Sequence, residues 1–212
     1  MSNQVVAAFD FDGTLTRGDS VVPFLCLVGG RRRLVLQLAR RAPSVIAAAA
    51  RHDRDRLKAL ATDAAFRGVP RSRVDALALE HGLAIAARGL RDDVVARLGW
   101  HREQDHRVVV VSAAYEPYVR VAADALGVAD VIATRLAVDD ADVCTGELDG
   151  ANCRAAEKAH RLERWLSQQG LARADVELWA YGDSSGDREL LAHADHAVWV
   201  HDPLDSVAPA SA

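Results

Sequence analysis

Residues 5–16 read VVAAFDFDGTLT. The apolar run Val5 to Phe9 has the composition of a buried strand. It stops at Asp10 and Asp12, two carboxylates one residue apart, and a Gly13-Thr14 turn follows. Carboxylates at the end of a buried strand are costly unless they hold something. In an open α/β sheet that strand end is where ligands sit. An Asp-x-Asp pair there offers oxygen ligands for a hard cation and a nucleophilic oxygen in one place. A calcium loop would need glycine at its sixth position and Glu at its twelfth. Counted from Asp10, the glycine is fourth and the twelfth residue is Val21, so that pattern fails.

Working outward, residues 20–89 carry helical spacing of apolar positions, as in 54–66 and 71–81. Gly68, Pro70 and Gly82 read as punctuation. From residue 90 onward strands alternate with helices. Helices are expected at 90–98, 117–126, 154–168 and 187–194, and strands at 107–111, 131–134, 176–181 and 196–200. Short strands or a hairpin are expected over 135–148. This alternation predicts an α/β fold with a parallel sheet and right-handed crossovers. The expected organisation is a discontinuous core, 1–19 plus 90–212, with a helical insertion at 20–89. The tail 202–212 reads as loosely ordered.

Three further polar stations end or follow strand-like runs. Ser112 closes the valine run 108–111, where a hydroxyl and backbone amides, Ala113 included, can hold a phosphate oxygen. Lys158 is one of only two lysines, with Lys58, among 26 basic residues; retaining lysine suggests that a compact point charge is wanted. Asp183 and Asp187 flank a Gly-Ser loop after 176–181 and can face one cation together. The ordinary alternatives are a turn at Ser112, chance at Lys158 and a helix cap at Asp183.

Composition bounds the rest. The chain has 212 residues, half of them hydrophobic, and net charge −4, which implies no nucleic-acid partner. Cys26, Cys144 and Cys153 are odd in number and lack metal spacing, and read as free thiols in a reducing cytoplasm. No signal peptide or membrane span is visible. Gly30 to Ala50 is apolar and flanked by arginines, which reads first as helix packing and second as peripheral membrane contact.

Asp10-Phe11-Asp12-Gly13-Thr14, Ser112, Lys158 and Gly182-Asp183 with Asp187 together resemble, in order and spacing, the four motifs of the haloacid dehalogenase superfamily. The resemblance covers about residues 5 to 200. The inserted helices are similar to the cap of its phosphoserine phosphatase-like branch. It implies a Rossmann-like parallel core, an α-helical cap and a magnesium-dependent phosphatase of small phosphomonoesters. It also implies the roles. Asp10 is the nucleophile and Asp12 the general acid–base. Mg²⁺ sits on Asp10, the Asp12 carbonyl and Asp183, with Asp187 in support. Ser112, Ala113 and Lys158 meet the phosphoryl group, while Thr14 orients Asp12 or caps the turn. Asp19, nine positions after Asp10, stands where similar phosphatases meet a substrate ammonium. The implied substrates are amino-alcohol phosphates such as phosphoserine or histidinol phosphate. A phosphatidylglycerophosphate-type lipid and a phosphotransferase reaction are the alternatives. Oligomeric state is not legible.

Overall fold

The computed structural model describes residues 4–201, 203 and 204. Six strands form one sheet in the order β4-β3-β2-β1-β5-β6. They are β1 (Gln4–Phe9), β2 (Arg107–Tyr115), β3 (Asp130–Val138), β4 (Cys144–Asp149), β5 (Val176–Gly182) and β6 (His196–Trp199). All neighbours pair parallel except β3 and β4, which pair antiparallel. The most apolar strand takes the centre: Val6, Ala7, Ala8 and Phe9 are fully buried, as a strand covered on both faces requires. Its register sets Phe9 beside Val110 on β2 and Tyr181 on β5. The residues that follow on all three strands therefore emerge at one edge.

Between β1 and β2 the chain is helical. The helices are α1 (Val21–Gly29), α2 (Arg31–Arg40), α3 (Ala42–Ala50), α4 (Arg54–Phe66), α5 (Arg71–Arg88) and α6 (Asp92–Glu103). Then come α7 (Glu116–Ala125), α8 (Ala156–Gln168) and the short α9 (Arg188–Ala192). Helices α1, α2 and α3 each pack on α4. The chain breaks between α2 and α3 at Arg41, with Pro43 in the first turn of α3. Among the described residues no helix is long and apolar enough to cross a membrane.

Three expectations are corrected. Gly82 does not punctuate; it lies inside α5. A Cβ there would sit 2.6 Å from the Val121 side chain and 2.8 Å from the Tyr118 carbonyl oxygen, so glycine lets α5 lie close against α7. The strand expected to end at Ser112 runs on to Tyr115, with a register shift against β3 between Val111 and Tyr115. That irregularity falls on the residues that enter the site. Of the short strands or hairpin expected over 135–148, a hairpin forms, and it begins earlier, because β3 is one strand from Asp130 to Val138 paired with β4. The expectation for the tail concerns residues mostly outside those described.

Candidate active site

The chain turns sharply after β1, and Gly13 sits in that turn with φ +81°. Glycine is required there twice over. The conformation is left-handed, and a Cβ would run into the Asp183 carboxylate. Gly13→Ala is expected to cost about 2 kcal/mol of stability, from backbone strain and displacement of Asp183. Thermal unfolding with and without a divalent cation checks this. The variant should melt lower and gain less from the cation than the wild type does.

Carboxylate oxygens of Asp10, Asp183 and Asp187 lie within 4.8 Å of one another, supplied by the ends of β1 and β5 and the loop after β5. Asp10 and Asp187 are buried. Thr14 is fully buried behind them, its hydroxyl 3.5 Å from Asp10 Oδ2 and 3.4 Å from Asp183 Oδ1. It therefore ties the two acids together across the turn rather than orienting Asp12, the first of its two expected roles, and it does not line the cleft. Lys158 projects from α8 and donates to Asp10 and, at 2.5 Å, to Asp187 Oδ1. The other Asp187 oxygen accepts from the Ser184 amide and hydroxyl at 3.0 and 2.8 Å. Ala155, just before α8, has φ +53° and donates its N–H to Gly186 O, which fixes the helix start against the acidic loop.

These environments shift the acids in one direction. Burial pushes the Asp10 carboxyl up to about 7 even against the opposing pull of Lys158. Burial also raises Asp183, with the neighbouring Asp187 charge adding to it. Lys158 is held above its ordinary value because the attraction of Asp10 and Asp187 outweighs its burial. Three acids, two of them buried and Asp183 half-buried, and one buried ammonium form a site with excess negative charge.

Asp12 stands apart from that cluster. Its Oδ1 accepts from the Ser20 amide at 3.1 Å and the Ser20 hydroxyl at 2.5 Å, and that hydroxyl contacts Tyr118 Oη at 2.8 Å. Burial raises the Asp12 carboxyl to about 6. The Asp12 side chain is thus not in the three-carboxylate group, although it lines the same cleft. Ser112 is buried at the cleft, and its Oγ accepts from the Ala114 amide at 3.0 Å. Ala113 lines the cleft and turns its carbonyl to Lys58 and Thr134. Asp19 also lines it, but its carboxylate accepts from the Val21 and Val22 amides at 3.2 and 3.1 Å, capping α1.

The cleft has a volume of about 430 Å³. Opposite the acids, Val21, Val22 and Leu25 of α1 and Leu57 and Ala61 of α4 form an apolar wall. Besides Lys158, three basic residues line it, Arg54, Lys58 and Arg154. Lys58 Nζ donates to the Ala113 carbonyl, to Asn152 Oδ1 at 2.8 Å and to Thr134 Oγ1 at 3.2 Å, and burial lowers its pKa to about 7. Sequence reasoning passed over Lys58, although the scarcity of lysine that singled out Lys158 applied to it equally. It also passed over Ser20 and Tyr118, for which no spacing signal exists. His81, from α5, sits 3.0 Å from the Ser20 carbonyl.

A family model described as haloacid dehalogenase-like hydrolase matches residues 7–192. Protein CicA of Caulobacter vibrioides is 38% identical over 192 residues, covering 90% of this chain and 83% of that protein. A structure of a protein of unknown function from Bordetella pertussis Tohama I superposes with TM-score 0.75 at 24% identity, over 90% of this chain and 86% of the other. A phospho-aspartyl intermediate analogue of phosphoserine phosphatase superposes with TM-score 0.61 at 19% identity, over 91% and 84%. At those identities the structures establish a shared fold, and the family match adds the hydrolase class. With its acids, lysine and serine gathered at the strand ends inside the matched span, the chain belongs to the haloacid dehalogenase-like hydrolases.

Proposed function

We propose that the protein is a magnesium-dependent phosphomonoesterase that transfers the phosphoryl group to Asp10 and then to water. The observation that carries this is the convergence of Asp10, Asp183 and Asp187 within 4.8 Å, with Lys158 bonded to two of them. An all-oxygen, net-negative donor set suits a hard divalent cation. Asp10, Asp183 and the Asp12 carbonyl would hold it. Asp187, engaged by Lys158 and Ser184, would support from behind. When bound, the cation neutralises charge between carboxylate and phosphate.

Asp10 Oδ attacks phosphorus in line, forming an acyl phosphate as the ester oxygen leaves. Asp12 gives its proton to that oxygen, and with its pKa near 6 it retains a protonated fraction in mildly acidic to neutral solution. The resulting carboxylate then takes a proton from the water that attacks the acyl phosphate. Lys158 and the Ser112 hydroxyl bind non-bridging oxygens and stabilise their charge. Ser20 and Tyr118 hold the Asp12 side chain in place throughout. Helices α1 to α5, residues 20–89, act as a cap over the core formed by 1–19 and 90–212. Closing that cap excludes water and reads the leaving group.

The fold shared with phosphoserine phosphatase makes a small amino-alcohol phosphate the first substrate class. Asp19, at the cleft and at the hinge between core and cap, is the acid available to an ammonium. Asp19→Ala is expected to lower kcat/KM for an amine-bearing phosphomonoester at least about tenfold more than for para-nitrophenyl phosphate, as loss of one charged contact implies. It should also cost about 1 kcal/mol of stability, because Asp19 caps α1. Equal losses on both esters would reduce Asp19 to a cap. The apolar wall of α1 and α4 would then favour a larger apolar alcohol. The overall reading is tested by phosphate release across a panel of phosphomonoesters, with chelator and added magnesium. Phosphate passed to an added alcohol instead of water would make the enzyme a transferase.

A further inference from the structure

Residues 20–52 contain six arginines and no acidic residue, within a chain of net charge −4. Arg41 pairs with Asp63. Among the described residues, Arg31, Arg32, Arg33, Arg40 and Arg51 make no ion pair and are exposed. Three of them fill the first turn of α2, which has no acid, and there the helix dipole disfavours cations. Among the described residues no acid pairs with Arg31, Arg32 or Arg33 to offset that local conflict.

The same helices leave apolar side chains in water. On α2, Leu34 is buried and Leu38 packs against the core, which turns Arg32, Val35 and Leu36 outward. Val35 is 61% exposed and Leu36 52%. On α3, Ala48 is buried and Ile46, half a turn away around the helix, is 67% exposed. Helix packing, the first reading of this segment, accounts for Leu34, Leu38 and Ala48 but not for Val35, Leu36 and Ile46.

We infer that the outward faces of α2 and α3 form a docking surface for anionic lipid bilayers, with the helices lying in the plane of the interface. Apolar tips among unpaired arginines suit an interface that is apolar below and negatively charged above. A second copy of this face is disfavoured because the same unpaired arginines would confront one another. A nucleic-acid strand would leave Val35, Leu36 and Ile46 without a partner, and no aromatic ring of α1 to α3 is exposed for stacking, the one ring there, Phe24, being buried. The surface is separate from the cleft, so the inference stands whatever ester the cleft cleaves.

The test is sedimentation of the full chain with vesicles of phosphatidylcholine alone or with phosphatidylglycerol added. The protein is expected to sediment with the mixed vesicles, much less with the neutral ones, and to be released by salt. R31E/R32E/R33E is expected to lower partitioning on the order of a hundredfold, given the several-fold contribution of each cation near an anionic surface. Leu36→Ser with Ile46→Ser is expected to lower it about tenfold through lost apolar burial alone. Both variants should keep wild-type turnover of para-nitrophenyl phosphate, which shows that they fold. Equal sedimentation with both vesicle types, no sedimentation, or full binding by either variant would overturn the inference. So would a dimer in sedimentation equilibrium that the same substitutions dissociate, since the face would then belong to a second copy.

Discussion

Asp10→Asn is expected to leave the fold intact and to remove turnover. The amide is isosteric with the protonated carboxyl, and burial already holds that carboxyl at about 7. Asparagine therefore costs little in stability, and Lys158 keeps Asp187 as a partner. It cannot attack phosphorus, because it lacks the anionic oxygen. A fall in kcat of at least about 10³-fold, roughly 4 kcal/mol of barrier, is expected with a melting temperature near that of the wild type. Residual activity within about tenfold, near 1.4 kcal/mol, would remove Asp10 from the nucleophilic role.

Lys158→Met is expected to damage stability and activity together. The ammonium is 2% exposed and lies between two carboxylates that are themselves buried. Without it Asp10 and Asp187 face each other uncompensated, and breaking a buried ion pair by removing one partner costs about 3–5 kcal/mol. Turnover should fall at least about 10²-fold through lost stabilisation of the transferring phosphoryl group. Added magnesium should restore part of the melting temperature, because a cation held by the carboxylates replaces the missing charge, while turnover stays low. Chemical denaturation in the presence of chelator or magnesium separates the two effects. A variant as stable as wild type in chelator would show that Lys158 does not neutralise this cluster.

The sheet was legible because its signals are local and strong. The runs ending at Phe9, Val111 and Tyr181 are largely apolar; the first two stop at Asp10 and Ser112, and the third at Gly182-Asp183. Central parallel strands buried on both faces must look like that. Asp10, Asp183 and Asp187 converge because the ends of β1 and β5 share one edge of the sheet, and Lys158 reaches them from α8. What stayed hidden depends on contacts between distant parts of the chain. Gly82 is indistinguishable from a helix breaker until Val121 and Tyr118 are seen against it. Lys58 comes from α4, far from the other stations in sequence, and only folding brings it to Ala113 and Asn152. Ser20 holds Asp12 through a hydroxyl with no motif around it. Thr14 could be assigned to the turn but not to the Asp10–Asp183 pair, because its partner lies 169 residues away.

The central claim is that the phosphoryl group passes through Asp10. Asp12→Asn should slow breakdown of the acyl phosphate more than its formation from para-nitrophenyl phosphate, whose leaving group departs without a proton. Mass analysis of that variant after reaction with magnesium and an acid quench therefore tests the claim most directly. The account predicts one phosphoryl adduct, on the peptide carrying Asp10, lost on treatment with hydroxylamine and absent when Asp10→Asn is added to the same chain. An adduct on any other residue, or none while phosphate is still released, would contradict it.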